Sequence, residues 1–423
     1  MGRPPRETVT PLILQKTVWA GSNLNAYPQS AQALWELAGV KLSAKQVQRI
    51  TSQIGADRVQ ERRGAVEEHR RRPLMERVTA APRVKPAELA VVMMDGGRFQ
   101  RRDRFRERGA AGSPPQPRKS SSDGKSTHWR EDKVGLVLSM DSETHSHDPA
   151  PEFPEWLASA PVVAELAQLA EREDASAPTS PAERSSDGAE VREPLGDWKD
   201  LAPKLLSREV IASSAEADEF AWHLQWKAWT LSVPAAPRQA FVADGLPVNW
   251  TIHKKHFSQM TGILDLMHAL SYAWGAAMVL PEGPRTYRRH ATWIWKGQVR
   301  LVIAELEEHQ ERLGPPPAEA GPGDPRTRIA RALTYYENHH DRMDYPAYRR
   351  EGLPLTSSHI ESTIKQINAR VKGTEKFWRQ DHGEAVLQLR ADVLSDSQPL
   401  DSFWLHWQKS QTGTNRYRKL QAA

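Results

Sequence analysis

Apolar positions recur along this chain at two periods, and the period changes with position. Between residues 31 and 70 the spacing is helical. The stretch "LWELAGVKLSAKQVQRITSQIG" has a turn around Gly39, a cap residue at Ser43 and a stripe of Val47, Ile50 and Ile54. Two helices around a short turn have the cadence of a helix-turn-helix, which puts Lys45, Gln46 and Arg49 outward on the second helix as candidate DNA contacts. A plain packing role fits the same pattern. Residues 1–30 read as a loose leader. From residue 88 the pattern turns to strands. "ELAVVMMDGGRFQRR" carries an apolar run ending in Asp95-Gly96-Gly97, and "REDKVGLVLSM" is a second run. The polar, basic stretch between them reads as a flexible loop.

Further along, 142–197 is rich in Pro, Ala, Ser and acids around one short helix, "PVVAELAQLAERE", and reads as a flexible insertion or long connection. One helix is expected over roughly 205–232. Two more strand-like runs follow, "RQAFVADG" and "MTGILDLMHA", each with an aspartate, Asp244 and Asp265. Residues 271–350 read as helical, split by "GPPPAEAGPGDP". In "GLPLTSSHIESTIKQINARVKG", Ile360, Ile364, Ile367 and Val371 recur at helical period, so a helix with one buried stripe starts near Ser358. Glu361 sits at its start. Ser358-x-x-Glu361 fits a capping box, in which the carboxylate turns back to its own backbone. The turn aspartates Asp95 and Asp244 have an equally local reading.

Composition narrows the chemistry. The 423 residues include no cysteine, which removes disulfides, thiolate zinc sites and thiol nucleophiles. A metal site would need carboxylates and histidines. The net charge of +5 suits a polyanionic partner without specifying one. No apolar run is long enough to span a bilayer and the start lacks a signal-peptide core, so a cytoplasmic protein without membrane contact is expected. The 15 tryptophans read mainly as core, with an exposed one able to stack on an unpaired base.

The motifs "VVMMDGGRFQRR", "REDKVGLVLSM", "FVADGLPVNW", "ILDLMHALSYAW", "YYENHHDRMDYPAYRREGLPLTSSHIESTIKQINARVKG" and "LRADVLS" stand in an order that resembles bacterial insertion-sequence transposases of the DDE type, closest to the Kra-type group and its Mutator-like relatives. The likeness covers roughly residues 30–395. It implies an α/β fold: an RNase H-like core of mixed sheet flanked by helices, with an all-helical insertion and an N-terminal helical domain. The implied segments are 1–87 (helical, with the possible helix-turn-helix), 88–270 (core), 271–351 (helical insertion), 352–396 (core completion with the glutamate helix) and 397–423 (tail).

By the same resemblance, Asp95, Asp244 and Glu361 are the catalytic acids and hold two Mg²⁺ or Mn²⁺ ions. Asp95 is expected at the end of the first core strand. Asp265 and His268, in "DLMH", are neighbours of the site and candidate catalytic residues and not primary metal ligands: Asp265 competes with Asp244 as the second acid, and His268 would hydrogen-bond a phosphate or orient Asp265. The implied reaction is metal-dependent cleavage at element ends, then strand transfer into target DNA. Lys365, Arg370 and Lys372 are candidate contacts to the DNA backbone. The implied partners are double-stranded DNA, as terminal repeats and target, and further copies of the chain in a nucleoid-associated assembly. Two departures stand out: Ser358 or its neighbour replaces a usual glycine, and 142–197 is longer and more acidic than the family pattern. A catalytically idle DNA-binding protein and an RNase H-like nuclease without strand transfer are the alternatives.

Overall fold

The computed structural model describes residues 10–101, 129–174, 202–373 and 376–411. The basic loop expected between the first two strands, the second part of the 142–197 insertion, and residues 1–9 lie outside the described residues.

The centre is β1 (Leu89–Arg101), whose first six residues are buried. A run apolar at every position has to be covered on both faces, which makes it an interior strand. On one side it pairs antiparallel with β2 (Trp129–Asp141), and β2 pairs antiparallel with β3 (Lys204–Ser213). On the other side it pairs parallel with β4 (Arg238–Ala243), which pairs parallel with β5 (Thr261–Leu264). The order is β3-β2-β1-β4-β5, an open mixed sheet. The short β6 (Phe377–Trp378) joins the far end of β1 at Gln100–Arg101. The β1–β4 ladder ends at Met93–Val242. Between that point and β6, one edge of β1 pairs with no strand among the described residues.

Helices cover and extend the sheet. The N-terminal ones are α1 (Pro11–Asn23), α2 (Tyr27–Ala38), α3 (Ala44–Arg71) and the single turn α4 (Leu74–Arg77). Between β2 and β3 lies α5 (Ala160–Asp174). α6 (Ala217–Thr230) packs on β2, and α7 (Pro247–His256) joins β4 to β5. After β5 come α8 (Leu266–Ala277), α9 (Gly283–Trp295), α10 (Val299–Leu313), α11 (Pro325–His339) and α12 (Tyr345–Arg350), the helical stretch that the sequence indicated. α13 (Ser358–Val371) packs on β1, α14 (Gln380–Leu394) packs on β3 and α3, and α15 (Pro399–Gln411) closes the described chain. No described helix is long and apolar enough to cross a membrane.

Two expected elements differ. The single helix over 205–232 is instead β3 followed by α6. The outer edge of β2 needs a hydrogen-bonding partner, and "REVIAS" supplies one with its β-branched residues. The loose leader contains α1, which is held by burying Leu14 and Val18 in a small core with Ile54, Leu389, Phe403, Trp404 and Trp407. The N-terminal helices and the C-terminal α14 and α15 therefore share one core.

The α3–α14 contact is close. A Cβ at Gly55 would lie 2.5 Å from the Ala385 carbonyl oxygen, so only glycine fits there. Beside it, Arg62 donates to Glu384 Oε1 at 2.6 Å and to the Ala212 carbonyl at 3.2 Å. The Ser213 and Ser214 hydroxyls and the Ser214 amide fill the remaining acceptor sites of Glu384. Burial raises the Glu384 pKa, but Arg62 and these hydroxyl and amide donors outweigh it and bring the group down to about 2. The network ties α3, β3 and α14 together. Arg62→Ala would leave Glu384 charged and buried without its cation. It is expected to lower the stability of the chain by about 3–5 kcal/mol, read by denaturant unfolding. A loss well under about 1 kcal/mol would show that the network is not holding the layer.

Candidate functional site: an acid row at the strand ends

Sheet register brings the sequence-indicated aspartates together. Met93 pairs with Val242, and Val242 pairs with Ile263. Two residues beyond each of these stand Asp95, Asp244 and Asp265. Extending the parallel register by two places puts the three aspartates in one row across β1, β4 and β5, on strands about 4.8 Å apart. The Asp265 amide donates to the Ala243 carbonyl at 2.9 Å, so the pairing does run on past β5. Asp95 is not at a strand end, because β1 continues to Arg101. What ends beside it is β4.

Each carboxylate already receives backbone donors. Asp95 Oδ1 accepts the Gly96 amide at 2.6 Å. Asp244 Oδ1 accepts the Leu246 amide at 3.0 Å and the Asn249 side-chain amide at 2.7 Å, which fixes the turn into α7. Asp265 is the N-cap of α8, and its Oδ1 accepts the His268 amide at 3.0 Å. Its Oδ2 accepts the Ser357 amide at 2.5 Å. One buried carboxylate thus anchors the start of α8 and the residue that begins α13. The His268 ring nitrogen Nδ1 lies 3.3 Å from Asp265 Oδ1.

Glu361 projects from the first turn of α13. The N-cap there is Ser357, whose side chain makes no capping hydrogen bond, so the expected Ser358–Glu361 capping box is absent. The charges that act on Glu361 are those of Asp265, His268, Glu165 and Lys365. Asn249 and Glu165 belong to this neighbourhood but were not among the sequence candidates. Neither stands in a pattern that a single sequence could reveal.

The four acids differ in electrostatics. Burial, then the negative charge of Asp244, pushes Asp95 up to about 7. Burial also raises Asp244, against the opposing pull of His268 and its amide donors. Burial, then Asp265, pushes Glu361 up to about 7. Asp265, only 1% exposed, behaves oppositely. Burial disfavours its charge, but the His268 side chain and the Ser357 donor outweigh that and hold it below the usual range. Asp265 is the permanent anion of the row, and Asp95 and Glu361 hold protons near neutrality.

This geometry corrects the metal expectation. Among the described residues, no group of three or more His, Asp or Glu side chains is arranged to hold a metal ion. Asp95 Oδ1, Asp244 Oδ1 and both oxygens of Asp265 are taken up by amide donors. The two-ion Mg²⁺ or Mn²⁺ site is therefore withdrawn. So are the DDE-transposase enzymology built on it and the metal-dependent cleavage and transesterification assigned to Asp95, Asp244 and Glu361.

The cation candidates separate into three kinds. Lys365 and Lys372 are exposed on and just past α13, with the Lys372 ammonium 5.8 Å from the Trp129 ring. Lys45 and Arg49 are exposed on α3. Gln46 is exposed too, but its side-chain oxygen caps α3 by accepting the Ser43 amide at 2.9 Å. Arg370 does not reach the surface. It is 2% exposed, lies over the Tyr27 and Trp378 rings, and donates to the Gly21 carbonyl at 2.9 Å. It fastens α13 to the N-terminal helices and is removed from the DNA contacts.

Two outcomes follow. Asn at 265 keeps an acceptor for one amide but turns an N–H₂ toward the other. Asp265→Asn is therefore expected to cost about 2–4 kcal/mol, nearly as much as Asp265→Ala, with faster amide exchange at Ser357. Near-wild-type exchange in Asp265→Asn would refute the anchor. Asp95 binds its proton more tightly in the folded than in the unfolded chain, so its ionisation erodes stability as pH rises from about 4 to about 7. Asp95→Asn should accordingly gain about 1–3 kcal/mol over wild type at about pH 8 and almost nothing at about pH 4, read by thermal unfolding at both. An equal effect at both ends would remove the repulsion from the account.

In comparisons with known proteins, no family model matches the chain and no curated protein matches it.

Proposed function

We propose that this chain is a DNA-binding protein on an RNase H-like core, related to insertion-sequence transposases, in which the acid row positions helices and holds protons beneath the DNA. The observation that carries the reading is the row of Asp244 and Asp265 just past the carboxyl ends of β4 and β5, with Asp95 beside them on β1 and a helix packed on β1 that carries half-buried Glu361 and exposed Lys365. Ligands of open α/β sheets bind in the crevice beyond those strand ends. A three-stranded antiparallel meander continued by two parallel strands, with a helical segment placed before the glutamate helix, agrees with an RNase H-like arrangement.

Lys365 and Lys372 supply cations at this edge for phosphate contacts, and phosphate contacts give affinity without reading sequence. Ionised acids beside a phosphodiester would repel it. Asp95 and Glu361 reduce that repulsion because they take up protons close to neutral pH. A phosphate overhead disfavours their ionisation further, so DNA binding and proton uptake favour each other.

Fluorescence anisotropy with a labelled duplex tests this. Affinity is expected to rise as pH falls from about 8 to about 6, and the double variant Asp95→Asn/Glu361→Gln should flatten that dependence. Lys365→Ala/Lys372→Ala should weaken binding about tenfold at about 0.1 M salt and lower the salt slope by about 2. Absence of duplex binding by the wild-type chain at low salt would end the reading.

A further inference from the structure

A second feature opens beside the acid row. The residue after Asp244 is Gly245, and a Cβ there would fall 2.2 Å from the Tyr335 ring. From Gly245 a cleft of about 860 Å³ extends between α7, α8 and α11. This lies within the size range of small-molecule sites, about 300–1,000 Å³. Its lining includes Trp250, Lys254, Tyr272, Arg331, Tyr335 and Arg342, and no aspartate or glutamate among the described residues.

The aromatic side chains form a connected cluster. Tyr272 and Tyr335 are stacked, with ring centroids 3.7 Å apart and planes 13° from parallel. Tyr335 contacts His339 at 5.0 Å, and His339 contacts Trp250 at 5.8 Å. The guanidinium of Arg342 lies over Trp250 at 4.5 Å, and it also pairs with Asp341 at 3.2 Å, outside the cleft. Burial lowers the His339 pKa to about 4, so the ring joins the cluster as a neutral aromatic. Lys254 is exposed at the mouth and Arg331 half-buried within it.

We propose that this cleft receives one unpaired nucleotide, its base against the Tyr272–Tyr335–His339–Trp250 cluster and its phosphate near Lys254 and Arg331. Aromatic rings set at angles to one another, 62° for Tyr335–His339 and 45° for His339–Trp250, with cations around them and no carboxylate in the lining, suit a nucleobase carrying a phosphate. Because the cleft starts at the residue after Asp244, a strand lying along the acid row has its next nucleotide within reach. The choice of a nucleic-acid ligand rests on the function proposed above; the shape and chemistry of the cleft do not.

The test uses the full chain, deoxyadenosine monophosphate, a labelled single-stranded oligodeoxyadenylate and a labelled duplex. Thr334 is exposed and lines the cleft, so Thr334→Trp fills the cleft from its solvent side. Saturation-transfer NMR is expected to show adenine protons receiving magnetisation from wild type and not from Thr334→Trp. The oligodeoxyadenylate should bind Thr334→Trp about tenfold more weakly, and the duplex should bind it within about twofold of wild type. Lys254→Ala/Arg331→Ala should weaken monophosphate and oligomer binding about tenfold, and it carries the test if Thr334→Trp does not fold. If wild type transfers nothing to the monophosphate, or if the cleft variants match wild type with both single-stranded probes, the nucleotide site is overturned. Duplex binding that persists in that case leaves the general DNA reading standing. Loss of duplex binding with the monophosphate result intact separates the two the other way.

Discussion

One carboxylate sets the geometry on which the candidate site depends. Asp265 accepts the amide of His268 at the start of α8 and the amide of Ser357 at the start of α13. A helix N-terminus leaves unpaired amides and a partial positive charge, and an anion is the natural partner for both. Here one anion serves two helices that are far apart in the sequence. The Leu266 amide donates to the Leu355 carbonyl alongside, so the chain leading into α13 is held against the base of α8. Glu361 is positioned by this arrangement, not by a cap of its own. Tyr345 and Tyr336 reinforce it from the helical segment by donating to the Leu264 and Ala269 carbonyls.

The low pKa of Asp265 and the high ones of Asp95 and Glu361 are linked. A fixed negative charge in a dry site makes a second one expensive, so neighbours that lack comparable donors retain protons. Burial raises Asp244 as well, against the pull of His268, the Leu246 amide and Asn249. Charge in this crevice is graded by burial and, against it, by hydrogen bonding. Asp132, buried on β2 opposite Gly97, shows the same tendency. Burial pushes its carboxyl up to about 7, against the pull of its own backbone amide.

Much of the sheet was legible because its strands announce themselves. β1, β2, β4 and β5 are apolar runs, and three of them lead directly into the aspartates. β3 was misread because "LLSREVIASS" precedes a true helix without a strong breaker, and only the open edge of β2 decides its conformation. The leader helix α1 was missed because its core partners lie in α3, α14 and α15. The sheet register brings Asp95, Asp244 and Asp265 into one row, but the two-ion chemistry expected of the acids is contradicted among the described residues. Whether a carboxylate faces an ion or a backbone amide depends on local turns such as Asp244–Leu246 and on remote donors such as Ser357. Residue spacing carries neither. Arg370 was misassigned for a similar reason: it follows the basic pattern of its helix, yet the Tyr27 and Trp378 rings that enclose it come from elsewhere.

The central claim is that this row is a graded array of carboxylates, with Asp265 ionised and Asp95 and Glu361 protonated near neutrality. Carboxyl-carbon NMR titration of the chain with ¹³C-labelled aspartate and glutamate tests it most directly, with Asp95→Asn, Asp265→Asn and Glu361→Gln used for assignment. Asp95 and Glu361 are predicted to titrate near 7 and Asp265 below the usual aspartate range, with added Mg²⁺ leaving all three in place. Ordinary titration of all three at about 4, or a Mg²⁺-dependent fall of Asp95 and Glu361 together, would contradict it.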